Sequence, residues 1–219
     1  MSEISHIVEV NADRPQVEIV RWAADRVQRG GVIGYPTETA YGLGADVLHR
    51  GARERIFAIK GRDRDKALPV IVSDLDQLAF LCRPIPARVG ALAKRFWPGP
   101  LTLVIPVRRE LQDDLDGASV AVRVSGLALA RELARVSGCC LTATSANRSG
   151  GVPARSARDV WTTFGSELDL ILDGGDVAGL RPSTIVDLMG EEPRLLREGP
   201  VVFDAVLQAL RDGRDGPAP

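Results

Sequence analysis

The chain has 219 residues, with 28 Lys and Arg against 29 Asp and Glu, a net charge of −1 and aromatics at 5%. That length supports one substantial core. The near-zero charge excludes a protein drawn as a whole onto a polyanion, and the scarce aromatics argue against a surface that stacks single-stranded bases.

Taken in chain order, Asp13, Pro15 and Gln16 resemble a helix start with a capping box. Val17, Val20, Ala24 and Val27 then recur at helical spacing until Gly30 and Gly31, so 14–29 is predicted as an amphipathic helix. Residues 31–35 form a short apolar run broken by Pro36, predicted as a strand that opens into a loop over 36–44. A helix over 50–59, a cation-rich loop over 60–66 and a buried strand over 68–73 follow, and Asp74 with Gln77 caps the next helix. A helix over 86–95 runs into Trp97-Pro98-Gly99-Pro100, a rigid turn that feeds a strand over 101–107. Strand 119–124, helix 127–137 and strand 139–144 form a further unit. Helix 156–164, strands 168–172, 183–188 and 193–197, and a helix near 203–211 complete the series. The segment from Arg211, rich in Asp, Gly, Arg and Pro, is expected to be a disordered tail. The interleaving predicts an α/β domain on a mixed sheet, because several neighbouring strands are joined by turns too short for a parallel crossover.

Two histidines, His6 and His49, leave little material for a histidine metal centre or a Ser-His-Asp triad. Cys82, Cys139 and Cys140 are odd in number, lack C-x-x-C spacing and read as buried thiols of a reducing cytosol. No apolar leader region and no run of membrane-spanning length is present, so neither secretion nor membrane insertion is expected.

Four polar clusters lie at 36–44, 60–66, 142–150 and 181–184, in the loops where α/β proteins place ligand groups. No P-loop pattern occurs, and Gly42-Leu43-Gly44 lacks the third glycine of a dinucleotide site because Val47 stands there. Lys60, Arg62, Arg64 and Lys66 alternate with Gly61 and two aspartates. Their period puts four cations on one side of a loop, where they could cradle a triphosphate or form a solvated surface run, the reading that spacing alone favours. Thr142, Thr144, Ser145, Asn147 and Ser149 follow an apolar run and suit either phosphate contacts or turn chemistry ahead of a helix cap at Ser156. Arg123 sits among Val and Ala in a predicted strand. A cation so placed needs an anionic partner, either a substrate carboxylate or a structural salt bridge.

Read in order, Pro36-Thr37-Glu38-Thr39-Ala40-Tyr41-Gly42-Leu43-Gly44, Lys60-Gly61-Arg62, Pro98-Gly99-Pro100-Leu101-Thr102, Ala121-Val122-Arg123, Thr144-Ser145-Ala146-Asn147-Arg148-Ser149-Gly150 and Ser183-Thr184-Ile185-Val186-Asp187 resemble the YrdC-like threonylcarbamoyl-AMP synthase family, from about residue 14 to Val201. The resemblance implies a twisted mixed α/β sheet with flanking helices around a concave basic cavity, in a catalytic domain spanning 1–210. It implies condensation of L-threonine, bicarbonate and ATP into threonylcarbamoyl-AMP and pyrophosphate, for threonylcarbamoyladenosine formation in tRNA. The family's K-x-R…S-x-N signature falls on Lys60, Arg62, Ser145 and Asn147 as catalytic residues. By the same resemblance these four line the ATP site with Arg64, Ser119, Ala143 and Arg197, while Thr37, Arg123 and Ser183 take threonine. Mg²⁺ is implied, held mainly by the ATP phosphates with no protein ligand. A downstream tRNA threonylcarbamoyl transferase complex as partner completes what the resemblance implies; the cysteines add a cytoplasmic location, and weak tRNA or double-stranded RNA binding is a possible further property.

Two positions depart from the family pattern. Asp63 stands where Pro is common after K-x-R, and Ser125-Gly126-Leu127-Ala128 replaces the usual Pro and downstream His-Pro. The longer family form adds a C-terminal domain, and a chain of this length corresponds to the short bacterial type. Two rival readings are an idle relative that holds RNA in the basic cavity and a carbamoyl-adenylate former of the hydrogenase-maturation type. Net charge speaks against the first, and the missing zinc-binding cysteines speak against the second.

Overall fold

Side-chain alternation along the strands builds two mixed sheets where one was expected. The computed structural model describes residues 6–63, 67–178 and 181–213. The first sheet contains β1 (Ile7–Glu9), β2 (Ile33–Pro36), β3 (Tyr41–Gly44), β8 (Thr144–Ser145) and β9 (Leu170–Asp173), ordered β1-β9-β2-β3-β8. The second contains β4 (Val70–Ile71), β5 (Leu101–Pro106), β6 (Ser119–Arg123), β7 (Leu141–Thr142), β10 (Thr184–Asp187) and β11 (Arg194–Arg197), ordered β11-β10-β5-β6-β4-β7. Each sheet mixes parallel and antiparallel pairs.

Among the described residues seven α-helices flank the sheets: α1 (Val17–Gln28), α2 (Arg50–Lys60), α3 (Leu75–Leu81), α4 (Ala87–Phe96), α5 (Ala128–Ser137), α6 (Ala157–Phe164) and α7 (Phe203–Asp212). On β9, Leu170 and Leu172 pack with Val20 and Val27 of α1 and Leu129 and Leu133 of α5, whereas Ile171 between them faces Ile56 of α2 and Val160 of α6. The period of two thus covers both faces of the first sheet with helices, which is why Leu170, Ile171 and Leu172 form a continuous apolar run. In the second sheet Leu101, Leu103, Ile105, Val120, Val122 and Val186 share a face, under Leu78 and Leu81 of α3, Val89 and Leu92 of α4 and Val206 of α7. Burying each such aliphatic side chain contributes about 1.5–3 kcal/mol.

The sheets meet where one extended segment leaves β7 and re-enters as β8. Ala143 between them donates its N–H to the Pro69 carbonyl at 2.7 Å. Thr142, fully buried, donates its hydroxyl to the Leu43 carbonyl at 2.8 Å and accepts from the Ala45 N–H at 2.9 Å. The Tyr35 hydroxyl donates to the Thr142 carbonyl at 3.0 Å. The predicted strand over 139–144 is therefore two short strands in two sheets.

Four other expectations change. Helix α1 begins at Val17 with no side-chain cap from Gln16. In place of the expected capping box, Asn11 Oδ1 accepts from the Asp13 and Arg14 N–H groups, and Gln16 Oε1 accepts from the Asn11 N–H. The second half of the predicted loop 36–44 is strand β3, antiparallel to β2. Its glycines concealed it: a Cβ on Gly44 would lie 2.7 Å from the Tyr35 ring, so the position is reserved for close passage of that ring. Strand β1 was not anticipated, and α7 continues to Asp212, past the tail boundary expected at Arg211. Residues 214–219 lie outside the described residues. The Asp74 cap is as expected, its side chain accepting from the Gln77 N–H at 2.8 Å.

Replacing Thr142→Val keeps the shape but orphans the Ala45 N–H and the Leu43 carbonyl bond. Each unsatisfied buried group costs about 1–3 kcal/mol. Urea unfolding should show a large loss for Thr142→Val and a loss nearer about 1 kcal/mol for Thr142→Ser, which sheds only a methyl group.

Candidate functional site

Odd-numbered residues of β6 and even-numbered residues of β5 point away from the helix-covered face of the second sheet. Thr102, Val104, Ser119, Ala121, Arg123 and Ile185 emerge there, and none of the three apolar clusters includes them. Val104, Ser119, Ala121 and Ile185 are half-buried, while Thr102 and Arg123 are buried. Leu103 pairs with Val122, which carries Thr102 level with Arg123 in the antiparallel register. Thr102 Oγ1 lies 2.8 Å from Ser183 Oγ just ahead of β10, and Arg197 on β11 donates to the Ser183 carbonyl at 2.9 Å and to its hydroxyl at 3.1 Å. Strand alternation thus gathers Thr102, Arg123, Ser183 and Arg197 on one face.

Helix α2 delivers the second group. It starts on His49, whose Nδ1 accepts from the Ala52 N–H at 3.1 Å, and ends at Gly61 in the left-handed region at φ 58°, where glycine carries no Cβ penalty. Lys60 in its last turn is buried, with Nζ donating to the carbonyls of Ser145 at 2.5 Å and Asn147 at 2.7 Å. The Ser149 N–H returns to the Lys60 carbonyl at 2.8 Å. Ser145 Oγ donates to Asn147 Oδ1 at 2.5 Å, and the Asn147 amide donates to the carbonyls of Arg148 at 2.7 Å and Gly151 at 2.9 Å. Burial first, and the Arg62 charge second, lower Lys60 to about 8. Burial likewise pulls Arg62 below the ordinary guanidinium value. The Arg62 guanidinium donates to the Ala67 carbonyl at 3.1 Å. Lys60, Arg62, Ser145 and Asn147 are therefore brought together, and the surface-run reading of Lys60 is excluded by its burial.

The loop between β2 and β3 supplies a third group. Thr37 is buried; its N–H and hydroxyl both donate to the Ala40 carbonyl, at 3.0 and 2.7 Å, and its Oγ1 lies 3.1 Å from Thr39 Oγ1. Glu38 pairs with Arg123 through Nη1 and accepts from Ser125 Oγ with its other oxygen. The partner demanded by a buried cation in a strand is thus an internal carboxylate. Arg197 is lowered by burial and, secondarily, by the Arg123 charge, which places those two guanidiniums near each other. The motif around Glu38 does not itself reveal this pairing; the signal for it is a carboxylate between two threonines directly after a strand. Thr102 is likewise placed only by the strand register, and Arg148, which pairs with Glu167 and donates to the Ile59 carbonyl, staples the Ser145–Asn147 turn to α2.

Ser119 opens onto a recess lined by Val47, Phe57, Leu68, Val120 and the Arg53–Asp116 pair, and Ala143 lies at the junction between the sheets. Arg64, expected at the ATP site, and Lys66 fall outside the described residues. Burial first, then the Asp46 charge, pushes the Cys139 and Cys140 thiols up to about 12, which makes them poor nucleophiles. Among the described residues no helix is long and apolar enough to cross a membrane.

Two mixed sheets flanked by helices, with cations and hydroxyls gathered at strand ends and loops, define a mixed α/β protein. The family model Sua5/YciO/YrdC, described as "Telomere recombination", matches residues 25–199, and the chain belongs to this family. A threonylcarbamoyl-AMP synthase of Pyrococcus abyssi is 39% identical over 203 residues, covering 91% of this chain but 59% of that protein. One of Nitrosococcus oceani is 42% identical over 172 residues, covering 77% of this chain and 92% of that protein. The crystal structure of P. abyssi Sua5 complexed with L-threonine matches with a TM-score of 0.86 at 37% identity, over 93% of this chain and 60% of that one.

Because burial depresses Lys60, its charge costs the folded state stability at neutral pH. Below pH 8 the side chain is charged in both states and the folded state carries the desolvation cost. Between about 8 and 10.5 the folded state releases its proton first, so stability rises with pH. The span corresponds to roughly 3 kcal/mol at most, offset in part by the two carbonyl acceptors. Lys60→Met should match or exceed wild-type stability at pH 7, and chemical unfolding should show the difference shifting in favour of wild type as pH rises from 8 to 10.5.

Proposed function

We propose that this chain is an L-threonylcarbamoyladenylate synthase, forming threonylcarbamoyl-AMP and pyrophosphate from L-threonine, bicarbonate and ATP, with residues 1–210 as its catalytic unit. The observation that carries the reading is the buried Lys60 ammonium clamped on the Ser145–Asn147 turn, 85 and 87 positions along the chain. It unites the signature residues in a chain 39% identical, over 91% of its length, to a protein named for that activity.

In this reading the threonine α-ammonium gives one proton to solvent, the amine attacks carbon dioxide formed with hydroxide from bicarbonate, and that hydroxide takes the second nitrogen proton as water, leaving a carbamate. A carbamate oxygen then attacks the α-phosphorus of ATP, the bond to the bridging oxygen breaks, and pyrophosphate leaves. Both partners are anionic, so the residues act by positioning and by neutralising charge. An ammonium has three N–H donors; Lys60 spends two on carbonyls and offers the third, beside the Arg62 fork, to phosphate oxygens. Ser145 and Asn147 hold the turn that receives the triphosphate, with Arg64, Ser119, Ala143 and Arg197 around the nucleotide. Thr37, Arg123 and Ser183 take threonine. Mg²⁺ arrives on the ATP phosphates as part of the substrate. The product passes to a tRNA threonylcarbamoyl transferase complex in the cytoplasm, and direct tRNA or double-stranded RNA binding is weak, in keeping with the net charge of −1.

Pyrophosphate release from ATP should require both threonine and bicarbonate, and Lys60→Ala should lower turnover about 10²–10³-fold, the scale of one lost transition-state donor. Threonine-independent release would sink the reading. Affinity for ATP should also weaken as pH rises past about 8, because Lys60 is cationic below that value and neutral above it. A bound triphosphate favours the ammonium, so calorimetry near pH 8.5 in buffers of different ionisation enthalpy should register proton uptake, absent in Lys60→Met.

A further inference from the structure

The Arg123–Glu38 pair presents a charge problem that an incoming amino acid must solve. Arg123 is 7% exposed at its side chain and Glu38 15%. Glu38 spends one oxygen on Arg123 and the other on the Ser125 hydroxyl, while Arg123 Nη2 also lies 3.5 Å from Thr39 Oγ1. A bare carboxylate arriving at Arg123 would have to push Glu38 aside, leaving a half-sheltered anion with only a hydroxyl donor, a costly exchange. A zwitterion creates no such debt. Its carboxylate can share the positive side and its ammonium the negative side.

The surroundings favour that division. Arg197, anchored on Ser183, adds a second guanidinium near Arg123 and reinforces the positive side of the pair. The Ser125 hydroxyl donates to Glu38 and fixes its direction, while the hydroxyls of its two chain neighbours, Thr37 and Thr39, lie 3.1 Å apart. Resting on the synthase reading of this same site, we propose that Glu38 is the amine-side contact of the threonine pocket: it receives the α-ammonium while Arg123 takes the α-carboxylate. Glu38 then determines that the site accepts an α-amino acid rather than a hydroxy acid, and holds the nitrogen in place before it becomes a nucleophile.

The test is calorimetric binding of L-threonine and of its hydroxy-acid analogue, in which a hydroxyl replaces the α-ammonium, to the full chain. Wild type should prefer threonine by about tenfold or more, the scale of one hydrogen bond to a charged group. Glu38→Gln should weaken threonine binding by about that factor and leave the analogue unchanged or tighter, so that the preference collapses; ATP affinity and melting temperature serve as fold controls. Glu38→Asp, which keeps the charge, should retain the preference and carries the test if Glu38→Gln does not fold. Tighter threonine binding by Glu38→Gln would show that Glu38 is a plug, and an unchanged preference would show a structural ion pair only; either overturns the proposal. Wild type that binds no threonine would overturn the synthase reading as well, whereas threonine-dependent pyrophosphate release with an unaltered preference in Glu38→Gln overturns the Glu38 assignment alone.

Discussion

Passing one backbone segment between two sheets without leaving a buried peptide group unpaired is the constraint on which this molecule turns. Backbone N–H and C=O groups in a core must find partners. At Thr142 and Ala143 the strand ladder is broken, and the threonine hydroxyl, the Tyr35 hydroxyl and the Pro69 carbonyl close the account. One polar group of the candidate site adjoins that crossing. Ser145 and Asn147 begin immediately after it, the glycine strand β3 lies against it, and Lys60 reaches it from α2.

The crossing also explains why buried charge is tolerated. Lys60 is held by the carbonyls of Ser145 and Asn147, and burial first, with the Arg62 charge second, keeps its pKa depressed. Arg123, by contrast, has an acidic partner in Glu38. The two cations therefore have different electrostatic surroundings, one held by carbonyls and one paired with a carboxylate. The difference follows from where each residue sits: at a helix end facing a turn, or on a strand facing a loop that brings its own glutamate.

How much of the site was legible depended on whether its partners were local. Asp74 and Gln77, three residues apart, could be read as a cap, and the cap is there. The apolar alternation of β5 and β6 was readable, and with it the oddity of Arg123. Glu38 was invisible as its partner because 85 residues separate them and neither pattern names the other. Strand β3 was hidden because its glycines carry no side chains to pattern, their absence making room for Tyr35. Asp13 looked like a cap, yet Asn11 two residues earlier captured the local N–H groups first.

By itself the sequence determined the α/β class, the order of nearly all helices and strands, and the family, through ordered motifs that recur over most of the chain. Those features are written in near-neighbour spacing, since periods of two and of 3.6 decide which face of each element is apolar. Only the tertiary structure decided that the strands form two sheets, that Lys60 leaves solvent to clasp the Ser145–Asn147 turn, and that Arg123 finds Glu38. Each of these depends on contacts between residues distant in the chain, where packing and the pairing of buried polar groups, rather than local propensity, choose the partner.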